Sequence, residues 1–169
     1  MVWLSIEEAA MARIRHIAIQ TQDEEAARRF YVENFGLREV GRIDSARTSG
    51  YYLTDGHVNV AVLRFKNDAI AGVERGTGWS GIHHIGFQVE SLDEAVAKLE
   101  KSGAARPRED INLAMGHGAG GAPAGHGNVE VRYMGPDNVN FDISQTGWVG
   151  TSSNKVAHGK KELETEPGM

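Results

Sequence analysis

Two stretches of the chain alternate between apolar and polar residues with a period of two. They are Arg13-Ile14-Arg15-His16-Ile17-Ala18-Ile19-Gln20 and Gly81-Ile82-His83-His84-Ile85-Gly86-Phe87-Gln88. Such alternation, rich in β-branched residues, predicts strands. A helix signal follows each stretch. Asp23-Glu24-Glu25 places acids at the start of the first helix and Gly36 closes it. Ser91-Leu92-Asp93-Glu94 has the spacing of a capping box, and Gly103 supplies the stop for the second helix. More strand-like sequence comes next: Arg38–Ile43, Gly50–Thr54 and His57–Phe65 in the first half, with Asp55-Gly56 as a hairpin turn. In the second half Val129–Tyr133 and Val139–Gln145 flank Pro136-Asp137-Asn138.

The pattern is therefore written twice. His16 falls on His84 and Gln20 on Gln88 at an offset of 68, and Asn59 falls on Asn140 at an offset of 81. The difference of 13 is a glycine-rich insertion ahead of Asn128. Each copy reads as β-α-β-β-β, an open sheet with a helix on one face, so two copies should pack together. The divisions expected are an N-terminal extension (1–12), a first module (13–65), a linker (66–80), a second module (81–148) and a polar tail (149–169).

Alternation also assigns faces. Ile17 and Ile19 share one face of the first strand; His16, Ala18 and Gln20 share the other. Ile85, Phe87 and Val89 oppose Ile82, His84, Gly86 and Gln88, and Phe141 and Ile143 oppose Asn140, Asp142 and Ser144. The apolar faces should lie under the two helices. The polar faces are either solvent-exposed or the lining of a cup into which His16, His84 and Asp142 point. Ala18 and Gly86 would leave room there for a ligand. Gln20 and Gln88 would be polar lining or supporting donors, and His83 is expected on the opposite face, in helix packing or in support of a neighbour. A carboxylate buried in such a cup calls for a cationic partner.

Composition narrows the chemistry. The net charge of −5 gives no electrostatic case for nucleic acid. With no cysteine, disulfides, thiolate metal sites and a cysteine nucleophile are excluded, and any metal must be held by His and carboxylates. No apolar run approaches a membrane span, and residues 1–10 are too short and too acidic for a signal peptide, so the expectation is a soluble, cytoplasmic protein. The glycines of 116–127 are not a phosphate loop, because no Lys-Ser/Thr follows them.

The chain resembles the vicinal oxygen chelate superfamily, which includes glyoxalase I, bleomycin-resistance proteins, extradiol ring-cleaving dioxygenases and methylmalonyl-CoA epimerase. The likeness spans about Ile14 to Trp148. It rests on Arg15-His16-Ile17-Ala18-Ile19, Phe30-Tyr31 with Phe35-Gly36-Leu37, His83-His84-Ile85-Gly86-Phe87-Gln88-Val89 and Gly135-Pro136-Asp137-Asn138-Val139-Asn140-Phe141-Asp142. It implies an α+β fold of two paired βαβββ modules forming a half-open barrel, and a homodimer. Family metal ligands come from the first and last strands of each module. Carried over, these are His16, His84 and Asp142, the last standing where the family usually has Glu; the remaining position is Ala61, which cannot coordinate. Asp142 is a methylene shorter than Glu, so its backbone must approach the metal closely or a water must intervene.

Two His and one carboxylate match the three-ligand pattern of the dioxygenases, which is associated with Fe(II) and open positions for dioxygen and a chelating substrate. His126, Tyr133, Pro136 and Asp142 also follow the order of the extradiol signature, in which the His moves protons and the Tyr contacts substrate. Arg132 stands there in place of an apolar residue. The resemblance thus implies, first, an Fe(II) dioxygenase, an oxidoreductase acting on a small substrate with vicinal oxygens. A glyoxalase- or epimerase-type lyase or isomerase using Zn, Ni, Mn or Co is the second reading, and a metal-free ligand-binding protein the third.

Overall fold

The computed structural model describes residues 11–116 and 130–151. Eight strands form one mixed sheet in the order β2-β3-β4-β1-β5-β8-β7-β6. The first module contributes β1 (Arg13–Gln20), α1 (Glu24–Phe35), β2 (Arg38–Asp44), β3 (Thr48–Thr54) and β4 (Asn59–Phe65). The second contributes β5 (Gly81–Gln88), α3 (Leu92–Ser102), β6 (Arg106–Pro107), β7 (Val131–Met134) and β8 (Asn140–Ser144). Two short helices, α2 (Asp68–Ala71) and α4 (Glu109–Ala114), were not expected from the sequence pattern. No helix among the described residues is long and apolar enough to cross a membrane.

The helix signals act as read. Asp23 accepts from the Ala26 N–H and Gly36 closes α1 in the left-handed region; Ser91 accepts from the Glu94 N–H and Gly103 does the same for α3. The repeat survives in the strand register. β1 and β4 pair in parallel with Ile17 against Val60, and β5 and β8 pair in parallel with Ile85 against Phe141. β1 and β5 pair antiparallel and join the modules at the middle of the sheet. Arg47, between β2 and β3, donates to the Ala114 carbonyl of α4 at 2.6 Å, so the sheet wraps far enough to bring the two modules' outer parts together.

Of the two readings of the polar face, exposed or lining a cup, the structure has the second, while the apolar faces are less buried than the helix-packing expectation implies. Neither α1 nor α3 buries a residue fully, and Ile17, Ile19, Ile85 and Phe87 beneath them are only half-buried. The polar face is the enclosed one: His16, Gln20, His84, Gln88, Asn140, Asp142 and Ser144 are all buried. The apolar core lies on that same inner face, in the first module, where Ala18, Ala61, Leu63 and Phe65 pack with Ile70 and Ala71. Segment 66–80 is thus more than a connection, since α2 supplies two core residues.

Candidate metal centre

His16, His84 and Asp142 come from three neighbouring strands, β1, β5 and β8. In the sheet Asn59, His16, Gly86, Asp142 and Arg132 fall in one row of register partners across β4, β1, β5, β8 and β7. His84 stands one row away, opposite Ala18. Its Nε2 lies 3.1 Å from His16 Nε2 and 3.2 Å from Asp142 Oδ2.

The hydrogen bonds behind each ring fix its tautomer. Asn59 Nδ2 donates to the Val149 carbonyl at 2.9 Å, so Oδ1 faces His16 and accepts from Nδ1–H at 2.8 Å. His16 Nε2 therefore presents a lone pair. On the other side, His83 Nε2–H donates to the Ala71 carbonyl at 2.7 Å, which leaves His83 Nδ1 as an acceptor for His84 Nδ1–H at 2.8 Å. His84 Nε2 then also presents a lone pair. Burial lowers all three imidazoles, His16 to about 4, His84 to about 3 and His83 to about 2, so they stay neutral at pH 7.

Two lone pairs facing each other inside a protein repel unless a cation lies against both. Donor atoms about 2.1 Å from one ion lie about 3.0 Å apart in octahedral and about 3.4 Å apart in tetrahedral geometry, and the 3.1 Å between the two ring nitrogens falls in that range. A ring nitrogen held from behind by a carbonyl or amide oxygen is the usual support of a metal-ligating His. The donor set fits a divalent ion.

Two further residues complete the centre. Glu130 is partly exposed, but its carboxyl reaches the cluster: ligand atoms of His84, Glu130 and Asp142 all lie within 4.8 Å of one another. Burial, then the Asp142 charge, pushes the Glu130 carboxyl up to about 8. Arg132 grips Asp142 with a fork, Nε to Oδ1 at 2.6 Å and Nη2 to Oδ2 at 2.8 Å, and Nη2 also donates to His84 Nε2 at 3.0 Å. Burial alone would raise the Asp142 carboxyl; Arg132 and His84 outweigh it and hold the acid well below its ordinary range. A cavity of about 180 Å³ opens beside the cluster, lined by His16, His84, Glu130 and Arg132 together with Ile43, Phe65 and Ile70 among others.

Several expectations change here. Gly86 leaves no room for a ligand: a Cβ there would meet His16 Cβ and the Trp148 ring at 2.6 Å, and Trp148 fills the space by stacking on His16. His83 is not on the opposite face. Ala18 pairs with His84 and Ile19 with Ile82, so His83 is the extra residue of a bulge, and its ring turns inward against Phe65. Tyr133 is not brought to the cluster: it pairs with Phe141 and stacks on it at 6.0 Å, on the other face of β7. The residue that strand alternation aims at the centre is its neighbour Arg132. His126 lies outside the described residues. Glu130 escaped the sequence reading, although its place two residues before Arg132 in a predicted strand puts both on one face. Gln20 and Gln88 act as anchors, donating to the carbonyls of Gly76 and Gln145.

The model of the Glyoxalase/Bleomycin resistance protein/Dioxygenase superfamily matches residues 13–129, and the chain belongs to that superfamily. No curated protein matches the sequence. Among solved structures, a hypothetical protein from Bacillus halodurans superposes with a TM-score of 0.61 at 18% identity, covering 85% of this chain and 96% of that one. A Streptomyces coelicolor methylmalonyl-CoA epimerase bound to 2-nitronate-propionyl-CoA gives a TM-score of 0.61 at 18% identity, covering 86% and 100%. The methylmalonyl-CoA epimerase of Mycobacterium tuberculosis gives 0.55 at 14%, covering 86% and 91%. These likenesses show the fold.

The dioxygenase expectation, and the oxidoreductase class with it, is overturned. The structures of like fold that carry a named activity here are epimerases.

Proposed function

We propose that this chain is a metal-dependent isomerase or lyase, of the glyoxalase and epimerase type, that moves a proton at a carbon next to a carbonyl of a small molecule. His16, His84 and Asp142 would hold a divalent ion; a nitrogen and carboxylate donor set suits Zn, Co, Ni or Mn. When bound, the ion holds the substrate oxygens and polarises the carbonyl.

The observation that carries this reading is Glu130: a carboxyl facing the cavity, beside the donor cluster, with a pKa of about 8. Burial and the neighbouring Asp142 charge favour the protonated form of this carboxyl more than that of an ordinary Glu, which suits a group that takes up and returns a proton. Asp142, a carboxyl in the same cluster, stays ionised because Arg132 pairs with it. Two acids pushed apart by their surroundings divide the work between charge and proton transfer. Ile43, Phe65 and Ile70 give the cavity an apolar stretch of wall that a substrate's carbon skeleton could pack against.

The test is solvent isotope exchange. Protein loaded with Zn, Co, Ni or Mn is incubated in deuterated water with a panel of small 2-oxo acids, acyl thioesters and hemithioacetals, and deuterium is read by mass spectrometry. Metal-dependent incorporation is expected, reduced by about 10²–10⁴-fold in Glu130→Gln. Exchange at the wild-type rate in Glu130→Gln would remove Glu130 as the proton carrier; failure to bind any of the four ions would remove the reading altogether.

A further inference from the structure

Arg132 occupies an unusual place for a cation. Its Nη2 donates to His84 Nε2 at 3.0 Å and to Asp142 Oδ2 at 2.8 Å, and those two acceptors are themselves 3.2 Å apart. Nη2 therefore consumes the one lone pair of His84 Nε2 that a metal would take, and stands against the carboxylate beside it. The arrangement is held from behind. Asn112 Nδ2 donates to the Arg132 carbonyl at 3.1 Å, and Asn112 Oδ1 accepts from the Arg132 N–H at 2.8 Å. Arg132 is 2% exposed, so water does not screen its charge from the centre.

Resting on the metal-site reading above, we propose that Arg132 is an internal cation that competes with the metal and changes partner when the metal binds, its freed guanidinium then holding an anionic end of the substrate in the adjoining cavity. His84 Nε2 has one lone pair, which a divalent ion and Nη2 cannot share, so metal binding displaces Nη2 from His84, while Asp142 can still accept from Arg132 through its remaining lone pairs. The guanidinium already lines the cavity, and Arg47 lines it as well. Two guanidinium groups around about 180 Å³, with Ser45 and Thr48 as further donors and Ile43, Leu63, Phe65, Ile70 and Met115 as apolar wall, suit a short-chain carboxylate, its charged end on the arginines and away from the Glu130 carboxyl that lines the same cavity. Until the metal arrives, the fork keeps the buried Asp142 paired, and removing a partner from such a pair is costly.

Zn²⁺ affinity, measured by competition with a chromophoric chelator, tests the inference without any turnover. Arg132→Gln keeps an amide against Asp142 but has no charge, and it should bind Zn²⁺ at least tenfold more tightly than the wild type. Arg132→Lys, whose ammonium has no fork to hold both acceptors, should fall between them. Propionate should tighten Zn²⁺ binding by the wild type several-fold, as reciprocal linkage requires. Neutral propionamide should not, and neither should affect Arg132→Gln. A readout free of any substitution is the side-chain Nε–H resonance of Arg132 in the wild type, which should shift on Zn²⁺ addition in step with occupancy.

Equal Zn²⁺ affinity in all three proteins, or an Arg132 resonance unmoved at saturation, overturns the competition and leaves the metal site standing. A propionate effect that persists in Arg132→Gln overturns the anion role. No Zn²⁺ binding by any of the proteins overturns both this inference and the metal reading.

Discussion

The two halves of the inner face descend from the same pattern and do opposite things. In the first module the last strand presents Asn59, Ala61, Leu63 and Phe65 inward; in the second the corresponding strand presents Asn140, Asp142 and Ser144. Ala61 pairs with Ala18 on β1, and Asp142 pairs with Gly86 on β5, the same register position in each copy. One side became a packed apolar core and the other a charged cluster. The two asparagines diverged as well. Asn59 holds His16 Nδ1, whereas Asn140 accepts from Arg108 at 3.0 Å, and His84 is held by His83 instead. A duplicated fold thus carries one polar cluster: the first copy provides the packed core and one imidazole, and the second provides His83, His84, the acids and their cation.

The comparison can be broken most severely by giving the first module the second module's acid. Ala61→Asp puts a carboxylate into a fully buried apolar position that has no arginine fork of its own. An unpaired buried charge of this kind should cost about 3–5 kcal/mol, read from urea unfolding. If Ala61→Asp costs less than about 1 kcal/mol, the core on that side is not dry and the contrast fails.

Leu63→Ala tests the packing role from the other direction. It should cost about 2–5 kcal/mol through lost burial and a residual cavity, while Zn²⁺ affinity stays within about twofold. Asn59→Ala should reverse that balance. It removes the acceptor that fixes the His16 tautomer, so metal affinity should fall about 10–100-fold, with a stability loss of about 1–3 kcal/mol. Gly86→Ala should cost about 1–3 kcal/mol by driving a methyl into Trp148 and His16, seen as a lower unfolding midpoint.

The smallest effect is acid sensitivity. The metal-free protein buries His16, His83 and His84 neutral, with pKa values lowered by burial below the ordinary 6.5. The unfolded chain then binds more protons below pH 6.5, so stability is present above that pH and is lost as pH falls toward the folded values. From pH 7 to 6 the loss should be roughly 1 kcal/mol or less per imidazole, read from urea unfolding of the metal-free protein at the two pH values.

Much of this was legible along the chain. The offset between His16 and His84 marks the duplication, the spacing of Asp142 from Asn140 places it on the inner face, and Asp23, Ser91, Gly36 and Gly103 mark the helix ends. Those signals are local, since each depends on a period of two, a cap or a turn. The bulge at His83 was not legible, because it depends on a register shift between β5 and β1 that period-two counting assumes away. Nor was the fate of Gly86: the space it leaves is filled by Trp148, distant in the chain. Tyr133 was misplaced because a motif's order was followed where strand parity, which favours Arg132, is the physical constraint.

The sequence by itself determined the repeat, the faces of most strand residues and the inward placement of His16, His84 and Asp142, because alternation and duplication are written in the chain one neighbour at a time. Only the tertiary structure decided that the polar face is the buried one, that Glu130 completes the cluster and that Arg132 lies across it. Those outcomes depend on which strands meet across the sheet and on how strongly burial amplifies charge, and neither is a property of any single stretch of residues.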